Sequence, residues 1–401
     1  MDSIRGIAIL SVFLFHSLQE SFHFSFLPWN GLVRSYAVPK TFLALLPASF
    51  GWAGVSIFFV VSGFCIHLSF NQSNRSWRDF FIRRFFRIYP PYFFAMVLFA
   101  IIFCTPHLRL EQDLFSGNVD WRSFFTHLFL IHNFDPSTFW KINPAFWSIA
   151  VEAQLYLLYP LLMLTVSKFD WRRTMIFVAA CELLIAGING LSSGVMGAED
   201  YWNIHIHLPG FFSQIVSLNH WLAISPLAYW FSWSIGAYIA DTFLKGTRLP
   251  FADFSILLWV ILVGTSYFVR PLYSFFFVFV ALLTATSISK LIIGEFPKIW
   301  IPTFCLKSLR QAGLWSYSIY LIHQPLLAIF LINFALIFPV AANNPIFRFV
   351  FCLISWLLIM LLGRVWFQIL ELPSIALGKR FIKRGRPMFG GVTETEKHLS
   401  P

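Results

Sequence analysis

A chain of 401 residues that is 58% hydrophobic and 12% charged, with 50 Phe and 16 Trp, is not an ordinary water-soluble domain, because such a domain carries roughly 25% charged residues. The net charge of +11 does not point to nucleic acid, since the basic residues sit in short segments between apolar runs, where membrane orientation accounts for them. Five scattered cysteines (Cys65, Cys104, Cys181, Cys305 and Cys352) without CxxC spacing imply neither a disulfide framework nor a zinc site, and no metal is expected.

Apolar runs near twenty residues recur along the chain, each long enough to cross ~30 Å of hydrocarbon as a helix. They lack strand-like alternation, so helices are expected rather than a barrel. The predicted fold class is all-α, a polytopic transmembrane bundle. It has about ten spanning helices, near 4–21, 52–70, 88–104, 145–167, 174–190, 225–244, 252–269, 271–290, 312–335 and 346–370. The first run has no separate basic n-region or small-residue cleavage site and reads as a retained helix, not a signal peptide. Arg270-Pro271 alone separates the seventh and eighth helices, which predicts a tight hairpin. Residues 1–370 are expected to form one membrane-embedded domain, followed by a short basic tail, 371–401. No internal repeat is visible.

With the N-terminus inside, Lys and Arg divide 21 to 6 between the two sides. That split predicts cytoplasmic N- and C-termini. The outer loops 22–51, 105–144 and 191–224 are then long and rich in aromatic residues. They read either as a folded outer surface that stacks on sugars or as an interfacial aromatic belt. His205 and His207 in the last of these loops read as a simple pair, because nothing nearby completes a metal site.

Ionisable groups inside a spanning helix are candidates for function. The first helix carries two, Arg5 and His16. Eleven residues make three helical turns to within about 20°, so both lie on one face, ~16 Å apart along the axis. Arg5, at the inner edge, suits a phosphate, and the competing reading is snorkelling. His16, past the midplane, suits proton abstraction from a hydroxyl, and the competing reading is an interhelical hydrogen bond.

This Arg, ten residues, then His pattern, with Asp2 three residues ahead of the Arg, resembles the acyltransferase-3 family of membrane acyltransferases. Four further family-like segments follow in order: GVSIFFVVSGFCI (54–66), FFIRRFFRIYPPYF (80–93), FWSIAVEAQLYLLYP (146–160) and GLWSYSIYLIHQP (313–325). Each is a weak signal alone, but five in register cover the chain to about residue 370. The resemblance implies transfer of an acyl group, usually acetyl from acetyl-CoA, to a carbohydrate hydroxyl outside the cytoplasm. Acceptors in such families include O-antigen, exopolysaccharide and peptidoglycan. It also implies that Arg5 and His16 are the catalytic pair and that the protein lies in a bacterial cytoplasmic (inner) membrane.

The residues themselves add detail. Arg75, Arg78, Arg83, Arg84 and Arg87 crowd an inner segment ending at Tyr89-Pro90. Guanidinium forks suit the phosphates of coenzyme A, and Arg83, Arg84 and Arg87 are the donor-binding candidates. The competing reading is positive-inside charge with anionic lipid. In the Trp-Ser-x-x-x-Glu segment, Trp147 precedes Ser148, Glu152 and Tyr156, which fall with Tyr159 on one stripe, and Trp147, Ser148 and Tyr156 are substrate-binding candidates. Glu152 either orients His16, binds the acceptor or makes a buried helix contact. Residue counting from helix ends gives Glu152 and His16 similar depths, so the two are expected to share an outward-opening cavity. Tyr320 and His323 form a second stripe with Ser316, read as acceptor-binding or as polar glue between helices. Glu182 and Arg364 have no assigned role.

The expected function is therefore acyl-CoA-dependent acylation of an extracytoplasmic glycan or glycolipid. The expected partners are the lipid bilayer and that acceptor, together with any separate accessory protein. The alternative is a proton-coupled transporter or flippase, against which the absence of an inverted repeat or paired broken helices counts.

Overall fold

In the computed structural model, which describes residues 1–22, 40–72, 76–104, 119–196, 221–297 and 302–384, the regular elements are all helical and no strand occurs among the described residues. They run α1 (Asp2–Phe22), α2 (Lys40–Ser49), α3 (Ala53–Asn71), α4 (Trp77–Cys104), α5 (Trp121–Leu128) and α6 (Phe146–Met196). Next come α7 (Trp230–Lys245), α8 (Ile256–Phe268), α9 (Phe276–Ile293), α10 (Thr303–Leu314), α11 (Ser316–Ile337), α12 (Pro345–Trp366) and α13 (Leu372–Arg384). Among the described residues, six stretches are long and apolar enough to cross a membrane: Leu45–Asn71, Trp77–Phe103, Phe146–Gly190, Leu272–Ile293, Ser316–Ile337 and Pro345–Lys383. His205 and His207 lie outside the described residues.

Several boundaries differ from the sequence reading for identifiable reasons. The helix expected near 88–104 begins at Trp77 and runs through Pro90 and Pro91, so Arg78, Arg83, Arg84 and Arg87 ride on α4 instead of a loop. A Ser76 Oγ that accepts from the Asp79 amide at 3.2 Å caps that earlier start. The stretch Phe146–Met196 breaks at Asp170 (φ 71°) into the two arms expected as separate helices. There the Asp170 carboxylate accepts from the Arg173 amide at 3.0 Å and starts the second arm. The helix expected at 312–335 is α11, which starts four residues later at Ser316, because residues up to Leu314 belong to a separate helix, α10, capped at Trp315. Helix α12 continues through a π-helical turn, Phe367–Glu371, into α13. The first residues beyond 371 thus form a helix packed along α4, where Phe381 stacks on Phe86 at 5.3 Å.

Close backbone approach sets the packing around the site. Helix α3 crosses α7 at Gly63 and Gly236: a Cβ on Gly63 would lie 2.0 Å from the Trp233 carbonyl oxygen, and one on Gly236 would lie 1.9 Å from that of Val60. Helix α1 packs against α3, α10, α11 and α12. Helices α1 and α11 run in the same direction: Arg5 and Tyr317 line one cavity, and further along His16 packs beside His323. The bundle therefore has an arginine end and a histidine end.

Residues 119–145 form a small lobe that reaches deep into the helices. The Tyr89 and Tyr92 hydroxyls on α4 donate to the carbonyls of Leu128 at 3.0 Å and His127 at 2.8 Å. The Asn143 amide donates to the Leu321 carbonyl on α11 at 2.9 Å. Two bulky residues of the lobe, Leu130 (φ 56°) and Ile142 (φ 64°), sit in the left-handed region, which costs backbone strain that the surrounding contacts must hold.

Candidate functional site

A cavity of about 110 Å³ opens among α1, α3, α4, α6 and α11 at the arginine end. Its walls carry Arg5, Ser62, Arg84, Arg87, Ser148, Glu152, Tyr156, Tyr317 and Tyr320. Three cations from two helices and one carboxylate thus share a space otherwise walled by Val55, Phe58, Phe59, Ile66, Ile88 and Ile149.

The helical period explains which arginines arrive there. Arg84 and Arg87 are three residues apart and lie on one face of α4, followed by Ile88 on the same wall. Arg83 points from another face and is not among the lining residues. Arg84 donates to Ser69 Oγ at 3.3 Å, and its Nε, sealed from solvent, has no partner. Arg87 forms an ion pair with Glu371, the fully buried carboxylate of the π-helical turn, which also accepts from Ser318 Oγ at 2.5 Å. Arg5 is steadied by Asp2, 3.4 Å away across one turn.

Glu152 lines this cavity, and one of its oxygens, Oε1, accepts from Ser62 Oγ at 2.6 Å and from Tyr156 Oη at 2.6 Å. The Trp233 indole in turn donates to Ser62 Oγ at 3.3 Å. Ser148 and Tyr320 share a 2.6 Å hydrogen bond across α6 and α11. Trp147, on the opposite face of α6, packs in an aromatic cluster with Trp52, at 5.7 Å, and Tyr229, at 5.8 Å. It does not line the cavity.

His16 stands apart from Glu152. Its ring centroid is 5.1 Å from that of His323, and its Nδ1 hydrogen-bonds Gln19 Oε1 at 3.0 Å. With Oε1 accepting, the His16 proton sits on Nδ1 and the Nε2 lone pair is left for chemistry. His323 Nδ1 meets the Tyr320 carbonyl at 2.8 Å; a carbonyl only accepts, so that nitrogen carries the proton and Nε2 is a buried acceptor with no partner. Tyr320 therefore bridges two places: its hydroxyl lies on the cavity wall with Ser148, and its ring lies 5.3 Å from His323.

The expected direct sharing of one cavity by His16 and Glu152 is not what the side chains do. The depth estimate placed the start of α6 at a membrane surface. In the structure Phe146 packs 4.8 Å from Tyr92, in the middle of α4, because the 119–145 lobe carries the chain down before α6 begins. Glu152 is correspondingly nearer the arginine end. Ser62, Tyr317 and Glu371 were missed by sequence reasoning. Ser62 had a signal, one of only two hydroxyls within the apolar segment GVSIFFVVSGFCI, and Glu371 another, a single acid ending a long apolar run.

A family profile described as an acyltransferase domain, Acyl_transf_3, matches residues 1–364. The chain belongs to this family. It is 26% identical over 348 residues to the peptidoglycan O-acetyltransferase OatA of Listeria monocytogenes, covering 82% of this chain and 49% of OatA. It is 27% identical over 176 residues to the acyltransferase MdmB of Streptomyces mycarofaciens, covering 43% of this chain and 41% of MdmB. YrhL of Bacillus subtilis, provisionally named a peptidoglycan O-acetyltransferase, is 28% identical over 190 residues, covering 43% of this chain and 28% of YrhL. The chain thus spans about half the length of these relatives, or less. No solved structure matches it. The family match runs through the segments that carry Arg5, His16, the α4 arginines, Glu152 and the Tyr320–His323 stripe.

Proposed function

We propose that this membrane acyltransferase moves an acyl group, most simply acetyl, from acyl-CoA to a hydroxyl of an envelope carbohydrate. The observation that carries this reading is the cavity in which Arg5, Arg84 and Arg87 meet Glu152 and a set of hydroxyls, linked through Tyr320 and His323 to His16. Guanidinium groups in a partly dry setting suit pyrophosphate and phosphate oxygens. At about 110 Å³ the cavity is well below the roughly 300–1,000 Å³ of a typical ligand pocket. It takes the narrow thioester arm of the donor, while the nucleotide head stays at its mouth, with its phosphates toward Arg84 and Arg87 on the wall.

The thioester carbon then lies toward the histidine end. The acceptor hydroxyl oxygen attacks that carbon as the His16 Nε2 lone pair takes its proton. The carbon–sulfur bond breaks, and the proton returns to the leaving thiolate. Ser148 Oγ donates to the Ala145 carbonyl, so the Tyr320 proton lies in the bond between the two hydroxyls, and Tyr320 turns it from Ser148 toward the oxyanion as that develops. The chain sits in the cytoplasmic membrane with both termini inside, so the donor approaches the arginine end and the acceptor the histidine end. OatA and YrhL, named for peptidoglycan O-acetylation, make a cell-wall or surface glycan the acceptor class to test first.

The test is transfer itself. Membranes containing the protein are incubated with radiolabelled acetyl-CoA and envelope glycan extracted from a strain lacking the gene. Alkali-labile label on the glycan, absent with the His16→Ala variant, is the expected result. Equal labelling by the variant ends this assignment.

A further inference from the structure

One turn beyond His16 on α1, away from Arg5, stands Glu20. It is 2% exposed, yet its Oε1 has no hydrogen-bond partner. Across from it on α12 is Arg348, whose Nη2 donates to the Glu20 main-chain carbonyl at 2.9 Å. The guanidinium thus bonds the backbone and not the carboxylate, and its own Nε is enclosed and without a partner. One residue past His323 on α11, Gln324 is 1% exposed and its Oε1 is likewise unpartnered. Ser21 and Cys352, 3.8 Å apart, close the α1–α12 seam beside them.

Buried polar groups are normally paired, because each one left alone keeps its desolvation penalty without a bond to offset it. Here an acceptor on one helix and a donor on the facing helix both go without, one turn from the imidazole that the proposed reaction uses. A carbohydrate satisfies both at once: one hydroxyl donates to the carboxylate and a neighbouring oxygen accepts from the guanidinium. Four residues of helix separate Glu20 from His16 by ~6 Å, about the width of one sugar ring.

We infer that Glu20 and Arg348 form the acceptor subsite, gripping adjacent hydroxyl oxygens of a sugar so that a further hydroxyl of the same residue meets His16. This rests on the acyl-transfer reading above and names the part of the protein that would select the acceptor. None of the five family-like segments contains either residue, and neither lies in the arginine cavity. The competing account is a purely structural tie between α1 and α12.

The same labelled acetyl-CoA assay, with the extracted glycan titrated, separates these accounts. Glu20→Gln and Arg348→Lys are each expected to raise the half-saturating glycan concentration tenfold or more, while the KM for acetyl-CoA stays within twofold. Glu20→Asp provides a second variant if Glu20→Gln melts below the wild type in a thermal scan. The double exchange Glu20→Arg with Arg348→Glu would keep opposite charges on the two helices but not a subsite, so it should leave glycan affinity low. Recovery of wild-type half-saturation in the exchange, unchanged half-saturation in the single variants, or a loss of rate alone overturns the subsite. If the wild-type protein labels no glycan, the proposed function itself falls, and the subsite with it.

Discussion

The His16 and His323 rings lie 5.1 Å apart, each carrying its proton on Nδ1 in the hydrogen bonds it makes, so two imidazole Nε2 lone pairs are kept at the histidine end of the bundle. In the proposed reaction His16 is the base. Its replacement by Ala is expected to lower transfer by about 10²–10⁴-fold, the usual worth of a positioned general base. His323→Phe keeps the ring but removes the buried Nε2, and should cost less, about tenfold. Transfer rates normalised to folded protein decide the matter. A His323→Phe loss as large as that of His16→Ala would exchange the roles of the two rings.

A second expectation separates arginines that the sequence could only group. Arg84 lines the cavity and Arg83 does not, so Arg84→Gln should raise the acyl-CoA KM by about ten- to a hundredfold, the worth of a hydrogen bond to a charged group. Arg83→Gln should change it by less than about threefold. Equal effects from the two variants would return the donor site to a diffuse basic surface.

These contrasts mark where the sequence was legible. Arg5 and His16 share a face by simple helical arithmetic. The apolar runs locate α3, α9, α11 and the two arms of α6 because burial and span length both leave a local signature. Arg84 and Arg87 are legible as residues but not as part of a helix, because the apolar run begins only near 88 while capping at Ser76 and packing against α13 extend α4 back to Trp77. The distance between Glu152 and His16 was not legible at all. It depends on how far the 119–145 lobe descends, which is fixed by long-range bonds such as Tyr92 to His127 and Asn143 to Leu321. Likewise, nothing local to Glu20 announces Arg348, 328 positions away.

The Gly63–Gly236 crossing should tolerate no side chain. Ala at either position puts a Cβ within 2.0 Å of a backbone oxygen, so α3 and α7 must separate. Overpacking of this kind costs roughly 1–3 kcal/mol. Since Gly63 follows Ser62, the shift should also loosen the Ser62–Glu152 bond. Thermal scans in detergent should show a clear fall in Tm for Gly236→Ala. An unchanged Tm would mean that the two backbones are not in contact.

The lobe supplies a pH dependence. His127 and His132 stack at 3.8 Å with nearly parallel rings. Burial lowers the His127 pKa to about 4 and holds His132 well below its ordinary value of 6.5, with His127 itself adding to the effect on His132. A group whose folded pKa lies below its unfolded one stays neutral in the native state, whereas the unfolded chain takes up the proton. Stability contributed by the stack is therefore complete above about pH 6.5 and declines as pH falls toward 4. Tm should drop between pH 7.5 and 5, and His132→Phe, which keeps an aromatic ring against His127, should reduce that drop. Identical drops in the two proteins would place the acid sensitivity elsewhere.

Glu152 provides the last contrast, because it and Glu20 are buried or partly buried carboxylates at opposite ends of the same proposed path. Glu152 shares its cavity with Arg5, Arg84 and Arg87, and one of its oxygens is held by Ser62 and Tyr156. Gln at this position can still accept both hydroxyl bonds, so shape is kept and only the charge is lost. Across a cavity of this kind, charges a few ångströms apart interact by about 1 kcal/mol or more. Without the carboxylate the three guanidinium groups attract an anionic donor more strongly. Glu152→Gln is therefore expected to lower the KM for acyl-CoA about threefold or more and to slow turnover, because the donor is held tightly before reaction as well as during it. The half-saturating glycan concentration should stay within twofold. The signature is the opposite of that expected for Glu20→Gln, which acts on the glycan and leaves the donor alone. A Glu152→Gln enzyme with altered glycan dependence and an unchanged acyl-CoA KM would put the carboxylate beside the acceptor, at the depth of His16, and not among the arginines.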